Sequence, residues 1–297
     1  MNRYANDWNT YSQCWNDNYG TRYTDLGDEW CDDGTADRKW ERWMLSAVAE
    51  PWLRKDARLL EIGPGGGKWT VRLSPQVKDI VAFDVADTML ERTRARCARE
   101  DVANVSCVLG DGNGFTGVRD ESVDIVFSYD VFVHIALEDT VMYLNEINRV
   151  LKPGGVAILH HAVNDVKPAW DRIESHNDWY RDRANTLGQY YYYSQDALSR
   201  MYERAGLAVI STWTQYCTAI FTVRKASETM VPSLERAIRS AAVAQTPEAL
   251  KAGIAELQRV AAEAQAKASA LAETLEQTKP GQGRYMALQQ LRRIFRG

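Results

Sequence analysis

The residues best placed for chemistry in this chain are clustered around one turn. Leu59-Leu60-Glu61-Ile62 is an apolar run ending in Gly63-Pro64-Gly65-Gly66-Gly67-Lys68, and a helical pattern follows. Glycines here permit positive φ and close approach of the backbone to a ligand. The strand-to-helix turn aims backbone N–H groups, those of Gly63 and Gly65 first, at whatever binds. A second apolar run, Ile80-Val81-Ala82-Phe83, ends at Asp84. That acid stands about 20 residues past the turn, the spacing at which a carboxylate reaches ribose hydroxyls. A nucleoside-containing ligand at the carboxyl edge of a parallel sheet is the expectation. The chain has 4 histidines, His134, His160, His161 and His176. Their near-neutral proton affinity suits general-base work.

These groups need a scaffold of alternating strands and helices. Strands are expected over about 58–62, 79–83, 104–109, 123–128 and 155–161, and again over 207–213 and 216–223. Helices are expected at 36–50, stopped by Pro51, and at 86–100, 138–150 and 194–205. Such alternation predicts a parallel sheet with helices on both faces. Its ligands bind outside the carboxyl ends of the strands.

A dinucleotide fingerprint would place a third glycine where Lys68 stands. The turn instead resembles motif I, E-x-G-x-G-x-G, of class I S-adenosylmethionine (SAM)-dependent methyltransferases. Further landmarks follow in order: Asp84, Gly110-Asp111-Gly112, Val123-Asp124-Ile125-Val126-Phe127-Ser128 and Leu151-Lys152-Pro153-Gly154-Gly155. The resemblance implies a Rossmann-like α/β fold with a seven-stranded sheet over 36–225, and SAM as cofactor. It implies a cofactor site of Glu61, Gly63, Gly65, Gly67, Asp84 on the ribose, Asp111 and Gly112 near the adenine, and Ser128. The strand-4 sequence Ser128-Tyr129-Asp130-Val131 does not form the [ND]-P-P-[YF] motif of amino methyltransferases. A narrower resemblance, to bacterial methyltransferases of polysaccharide and glycoconjugate biosynthesis, rests on Gly27-Asp28-Glu29-Trp30, the motif I segment and Asp130-Val131-Phe132-Val133-His134-Ile135. Cys31 departs from it by standing where glycine is expected. This likeness implies O-methylation of a saccharide hydroxyl. The alternatives are a small-molecule methyltransferase of secondary metabolism and a non-catalytic scaffold.

Methyl transfer from a sulfonium depends first on alignment. A hydroxyl acceptor also needs its proton removed, and the candidates are His160 or His161, then His134, Asp130 or Asp165, or alignment alone. Asp130, Asp165 and Asp171 are oxygen ligands of the kind Mg²⁺ takes, but no spacing marks a metal site. The segment 162–193 interrupts the alternation with Trp170, Trp179, Tyr180, Tyr191 and Tyr192. Aromatic faces with polar tips make a substrate wall suited to sugar rings.

Residues 1–35 are rich in Trp, Tyr, Asn and Asp, and read as an irregular arm or a lid over the site. Residues 226–297 read as a helical extension. Thr246-Pro247-Glu248 is a helix start. Leu250, Ile254, Leu257, Ala261, Ala264, Ala268, Leu271 and Leu275 then form a heptad seam, the mark of a coiled coil. Segment 247–279 is expected to join a second copy or a partner enzyme. Segment 284–296, with Arg292, Arg293 and Arg296 near Leu288, Leu291, Ile294 and Phe295 on one face, is expected to touch an anionic membrane surface or a partner, the alternative being a helix that packs on its own domain.

The net charge of −4 on 297 residues, with 45% hydrophobic and 26% charged residues, fits a globular chain without a nucleic-acid footprint. Its 5 cysteines lack C-x-x-C spacing, as expected of a reducing cytoplasm without a cysteine metal site. The polar first residues predict no secretory leader. No apolar run reaches the roughly 18 residues of a membrane span.

Overall fold

The computed structural model describes residues 3–20, 22–29, 39–182 and 187–226. The chain divides after Lys225. The heptad seam of 247–279 and the segment 284–296 lie outside the described residues.

Strand β1 (Arg58–Ile62) is apolar except for Arg58 at its start and Glu61, and Leu59 to Ile62 are all buried. A strand covered on both faces belongs in the middle of a parallel sheet. It pairs in parallel with β2 (Asp79–Asp84), Leu60 opposite Val81, and with β4 (Val123–Ser128), Leu60 opposite Val126. The strand order is β3 (Val105–Leu109), β2, β1, β4, β5 (Leu151–Val163), β8 (Thr218–Lys225) and β7 (Leu207–Gln215). β8 runs antiparallel to both neighbours. The two-residue β6 (Tyr192–Tyr193) pairs with the end of β5 and is an eighth strand beyond the seven expected. The order reverses between β1 and β4, so a crevice opens at their carboxyl ends.

Helices α3 (Lys68–Leu73), α4 (Asp87–Arg99), α5 (Leu137–Val150) and α8 (Gln195–Arg204) connect the strands. Ser194 caps α8 by accepting a hydrogen bond from the Ala197 N–H. The helix expected over 36–50 is described from Lys39. α2 (Lys39–Trp43) passes into a π-helical turn, Met44–Ala49, and a 3-10 turn, Glu50–Trp52. Met44 and Val48 pack with Leu59, Trp69, Ile125, Phe127 and Ile158 in the core on one face of the sheet.

The amino-terminal segment is not an irregular arm. Arg3–Tyr19 is a helix, α1. Trp8, Tyr11, Trp15 and Tyr19 fall at helical spacing and form one stripe. Trp15 is buried with Leu26, Ala86 and Met89, while Trp8 and Tyr11 pack at the edge of that cluster. α1 is tied to α4: Arg92 donates to Ser12 Oγ at 2.8 Å and Ser12 O at 2.6 Å, and Thr88 Oγ1 donates to Asn9 Oδ1 at 2.8 Å. The segment after β5 is also ordered locally, as α6 (Lys167–Ser175), α7 (Asn177–Arg181) and β6. Among the described residues no helix is long and apolar enough to cross a membrane.

Candidate cofactor and acceptor site

The glycine turn leaves β1 with Gly63 at φ +67° and Gly65 at φ +57°. Its crowding explains its composition. A Cβ on Gly63 would lie 2.3 Å from Val131 Cγ2, and one on Gly66 would lie 2.0 Å from Leu26 O. The turn is therefore wedged between the loop after β4 and the segment after α1. Its amides face inward, contrary to the sequence expectation. Gly63 N donates to Phe83 O at 2.8 Å, Gly67 N donates to Pro64 O at 2.9 Å, and the Gly65 amide hydrogen-bonds the Asp84 carboxylate. The turn holds Asp84, and Asp84 faces the ligand space.

Asp84 is buried, and burial pushes its pKa up to about 6 against three backbone N–H bonds, from Ala86, Val85 and Gly65. Glu61 lies behind it, fully enclosed, and accepts a hydrogen bond from Thr70 Oγ1 at 2.6 Å. Burial, with the nearby Asp84 charge, raises Glu61 to about 7.

A cavity opens here, floored by Gly63 to Gly66 and Asp84 and walled by Tyr129, Asp130 and Val131. Its roof comes from α1 and the segment behind it: Tyr4, Trp8 and Gly27. An adjoining cavity shares Tyr4 and Val85 and holds Asp111 and Gly112. Asp111 is exposed, and its Oδ1 accepts from Asn113 N at 2.9 Å, which lowers its pKa. The roof is fastened at both ends. Tyr4 Oη donates to Asp139 Oδ2 at 2.7 Å and accepts from Ala136 N at 3.0 Å. Glu29 accepts from Tyr11 Oη at 3.0 Å, Trp15 Nε1 at 2.8 Å and Gly27 N at 2.7 Å. The buried Arg96 of α4 pairs with Asp28 at 3.2 Å.

The acceptor side is built at the end of β4. Asp130 lines the cavity and holds φ +58°, a conformation uncommon for a residue with a Cβ. His160 Nδ1 lies 3.0 Å from Asp130 Oδ1 and 3.3 Å from the Asp130 backbone N. The Asp130 backbone N–H donates to Nδ1, and the carboxylate stands beside the ring. The His160 ring stacks on Tyr129 with centroids 4.3 Å apart and planes within 5°, and Tyr129 Oη accepts from Trp40 Nε1 at 2.8 Å.

The other sequence candidates have different places. Successive strand residues face opposite sides of a sheet, so His161 points away from His160, among Phe132, Tyr202 and Phe221. Its Nε2 is 2.7 Å from Tyr202 Oη, and burial lowers its pKa to about 3. Of these two alternatives, His160 is therefore the one beside Asp130. His134 lies between Trp8 and Tyr190, donates from Nδ1 to Gln189 O at 3.0 Å, and is lowered to about 4 by burial. Ser128 donates to Ile62 O at 3.0 Å, tying β4 to β1 beneath the turn. Gly67, at the start of α3, packs on Thr93.

Trp170, Trp179, Tyr180, Tyr191 and Tyr192 are not among the residues lining either cavity. Tyr191 N donates to Val133 O at 2.8 Å, Tyr193 Oη donates to Ile135 O at 2.9 Å, and Gln189 Nε2 donates to Trp179 O at 2.6 Å. Through these bonds the segment braces the loop that carries Val131 to Ile135. Asp165 accepts from Gln195 N, and Asp171 pairs with Lys167. Among the described residues no three His, Cys, Asp or Glu side chains are grouped to hold a metal ion. Sequence reading did not place Tyr4 in the site, took Trp8 only as one aromatic of the amino-terminal arm, and took Lys68 only as the residue in place of a third glycine. The first two were detectable as an i, i+4 pair on one helix face.

Residues 60–159 match a family model described as a methyltransferase domain. Together with the sheet order and the glycine turn, the match makes this stretch a domain of the class I, SAM-dependent methyltransferases. The family implies SAM as the methyl donor, and Asp84 beside the glycine turn and Asp111 in the adjoining cavity are the acids that would meet its nucleoside. The fold is similar to that of a SAM-dependent methyltransferase from Methanosarcina mazei, with TM-score 0.51, 14% identity, and 61% of this chain and 98% of that one covered. It is also similar to the YcgJ protein of Bacillus subtilis, with TM-score 0.50, 20% identity, and 63% and 97% covered. In sequence, 123 residues are 31% identical to the biotin biosynthesis bifunctional protein BioHC of Cellvibrio japonicus, covering 40% of this chain and 23% of that protein. A stretch of 141 residues is 27% identical to demethylmenaquinone methyltransferase of Staphylococcus aureus, covering 44% and 54%. The chain thus spans under a quarter of the first relative and about half of the second. The family match ends at Leu159, one residue before His160, and omits α1 and the segment after β5.

Proposed function

We propose that this chain is a SAM-dependent O-methyltransferase whose acceptor hydroxyl gives its proton to Asp130. The observation that carries this reading is the Asp130–His160 contact at the cavity wall. Bound SAM supplies a methyl group already activated by the positive sulfur. Asp84 and the turn behind it grip the nucleoside, with Asp111 beside the second lobe. Asp130 accepts the hydroxyl proton as the O–CH₃ bond forms and the S–CH₃ bond breaks. His160 is a positioning residue that holds the Asp130 backbone by accepting its N–H at Nδ1, with the carboxylate beside the ring. The α1 roof, held by Asp139 and Glu29, excludes water.

The acceptor we infer is a saccharide hydroxyl. Supporting it are the exposed side chains of Trp170, Trp213 and Tyr216, on α6 and near the β7–β8 turn, both at the carboxyl end of β5. The cavity's apolar lining, with Trp69, Phe83 and Met89, favours a second reading, a small aromatic acceptor. Self-association through 247–279 and surface contact through 284–296 belong to the same proposal and rest on sequence pattern alone. The test is turnover on panels of saccharides and phenols, followed by mass spectrometry. Asp130→Asn should lower kcat by about 10²- to 10⁴-fold, leaving S-adenosylhomocysteine (SAH) affinity within about threefold. His160→Ala should lose less than Asp130→Asn. Unchanged kcat in Asp130→Asn would refute the assignment.

A further inference from the structure

The tyrosine-rich segment after β5 carries a cation that methyl transfer at Asp130 does not use. Arg172 of α6 holds its guanidinium carbon 4.7 Å from the centroid of the Tyr190 ring. A ring face offsets part of the cost of desolvating a charge, but it does not satisfy the N–H groups. Arg172 Nε is buried without a hydrogen-bond partner. Among the described residues the guanidinium forms no ion pair. Asp171, its neighbour on the helix, is held by Lys167 at 2.6 Å, and Asp130 stands beside His160. The groups that face the guanidinium are phenols: Tyr180, which hydrogen-bonds it, Tyr190 and Tyr192. Burial keeps Tyr190 and Tyr192 protonated, so they bring it no negative charge. The Tyr180 and Tyr192 hydroxyls lie 3.3 Å apart.

This cluster is on the acceptor side. Tyr192 pairs with Ala162 of β5, and Ala162 shares a sheet face with His160, two residues earlier. Tyr190 meets His134 edge-on at 5.1 Å, and His134 meets Trp8 of the cavity roof at 4.9 Å. The charges of Asp130 and Arg172 both bear on Tyr190 and on His134. Arg172 lines neither cavity, so a group held by it would lie outside the cofactor space.

We propose that Arg172, with the Tyr180 and Tyr192 hydroxyls, is a subsite for an anionic group of the acceptor, a carboxylate or a phosphate. The inference rests on the saccharide methyltransferase reading and narrows it to acid-bearing sugars. A planar guanidinium fork suits either oxyanion. A neutral acceptor would leave the buried Nε unsatisfied, which native structures seldom tolerate.

Calorimetric titration of the full chain tests this, first with SAH and then, once saturated with SAH, with glucuronate, glucose 6-phosphate and glucose. The wild type should bind at least one of the two anionic sugars about tenfold more tightly than glucose, between the values of an exposed ion pair and of a buried charged hydrogen bond. The tighter of the two tells a carboxylate site from a phosphate site. Arg172→Met should remove the preference and leave SAH affinity within about twofold. Arg172→Lys keeps the charge but not the fork, and should keep part of the preference. A residue that only braced the fold would shift all three sugars together. Equal affinity for glucose and both anions, no binding of either anion, or a preference that survives in Arg172→Met overturns the subsite. If Arg172→Met fails to fold, the wild-type comparison and Arg172→Lys decide. Absence of SAH binding would instead overturn the methyltransferase reading, and the subsite with it.

Discussion

Asp84→Asn separates the stability of the fold from the nucleoside contact proposed for this carboxylate. The folded protein holds this carboxyl at a pKa of about 6, against 3.8 when unperturbed. A raised acid pKa means that the folded state keeps the proton more tightly than the unfolded chain. Its contribution is fully present below about pH 4 and is lost as pH rises through about 6. Once the group is ionised in both states, the loss amounts to about 3 kcal/mol. Asparagine removes this charge, but it cannot accept from three N–H groups, so about 1–2 kcal/mol is given back. At pH 8, without ligand, the variant should therefore be about 1–2 kcal/mol more stable than wild type, and at pH 5 nearly equal. Urea unfolding at the two pH values measures the gap, which should grow by about 1.4 kcal/mol. Over the same interval the variant should bind SAH more weakly than wild type. A stability gap that is constant with pH, or a variant less stable at pH 8, would refute the reasoning.

Other perturbations follow from the packing of the turn and its roof. Gly66→Ala places a methyl group 2.0 Å from Leu26 O; it should displace the segment under Gly27 and weaken SAH at least tenfold, as calorimetry would report. Deleting residues 1–30 removes Tyr4, Trp8 and Gly27 from the cavity and should abolish turnover, while circular dichroism still shows the sheet; a full rate would refute the roof. Tyr202→Phe strands the buried Nε2 of His161 and should cost about 1–3 kcal/mol of stability with kcat within about twofold. A hundredfold fall in kcat would return His161 to the reaction.

The glycine turn and the acid beside it were legible because their signals are local. A strand, a glycine turn and an acid about 20 residues on are contiguous patterns, and β1, β2 and β4 stand where the apolar runs placed them. The acceptor half depends on contacts between distant residues. No pattern links Trp40 to Tyr129 or His160 to Asp130, which meet across 89 and 30 positions. His160 and His161 were separable by strand alternation alone, and treating the pair as equivalent ignored it. α1 was missed because its polar composition hid a stripe of four aromatics at helical spacing. The rings of 162–193 drew attention as a wall, yet in the structure their backbone and polar groups brace the loop after β4. Lys68 was noticed only as an absent glycine, since a sequence does not show that a lysine is buried beside a cavity.

The most direct measurement is calorimetric titration of the full chain with SAH at pH 8, in wild type and in Asp84→Asn. Our account predicts saturable one-to-one binding that the substitution weakens at least tenfold. No binding by the wild type, or equal affinity in the variant, would contradict it.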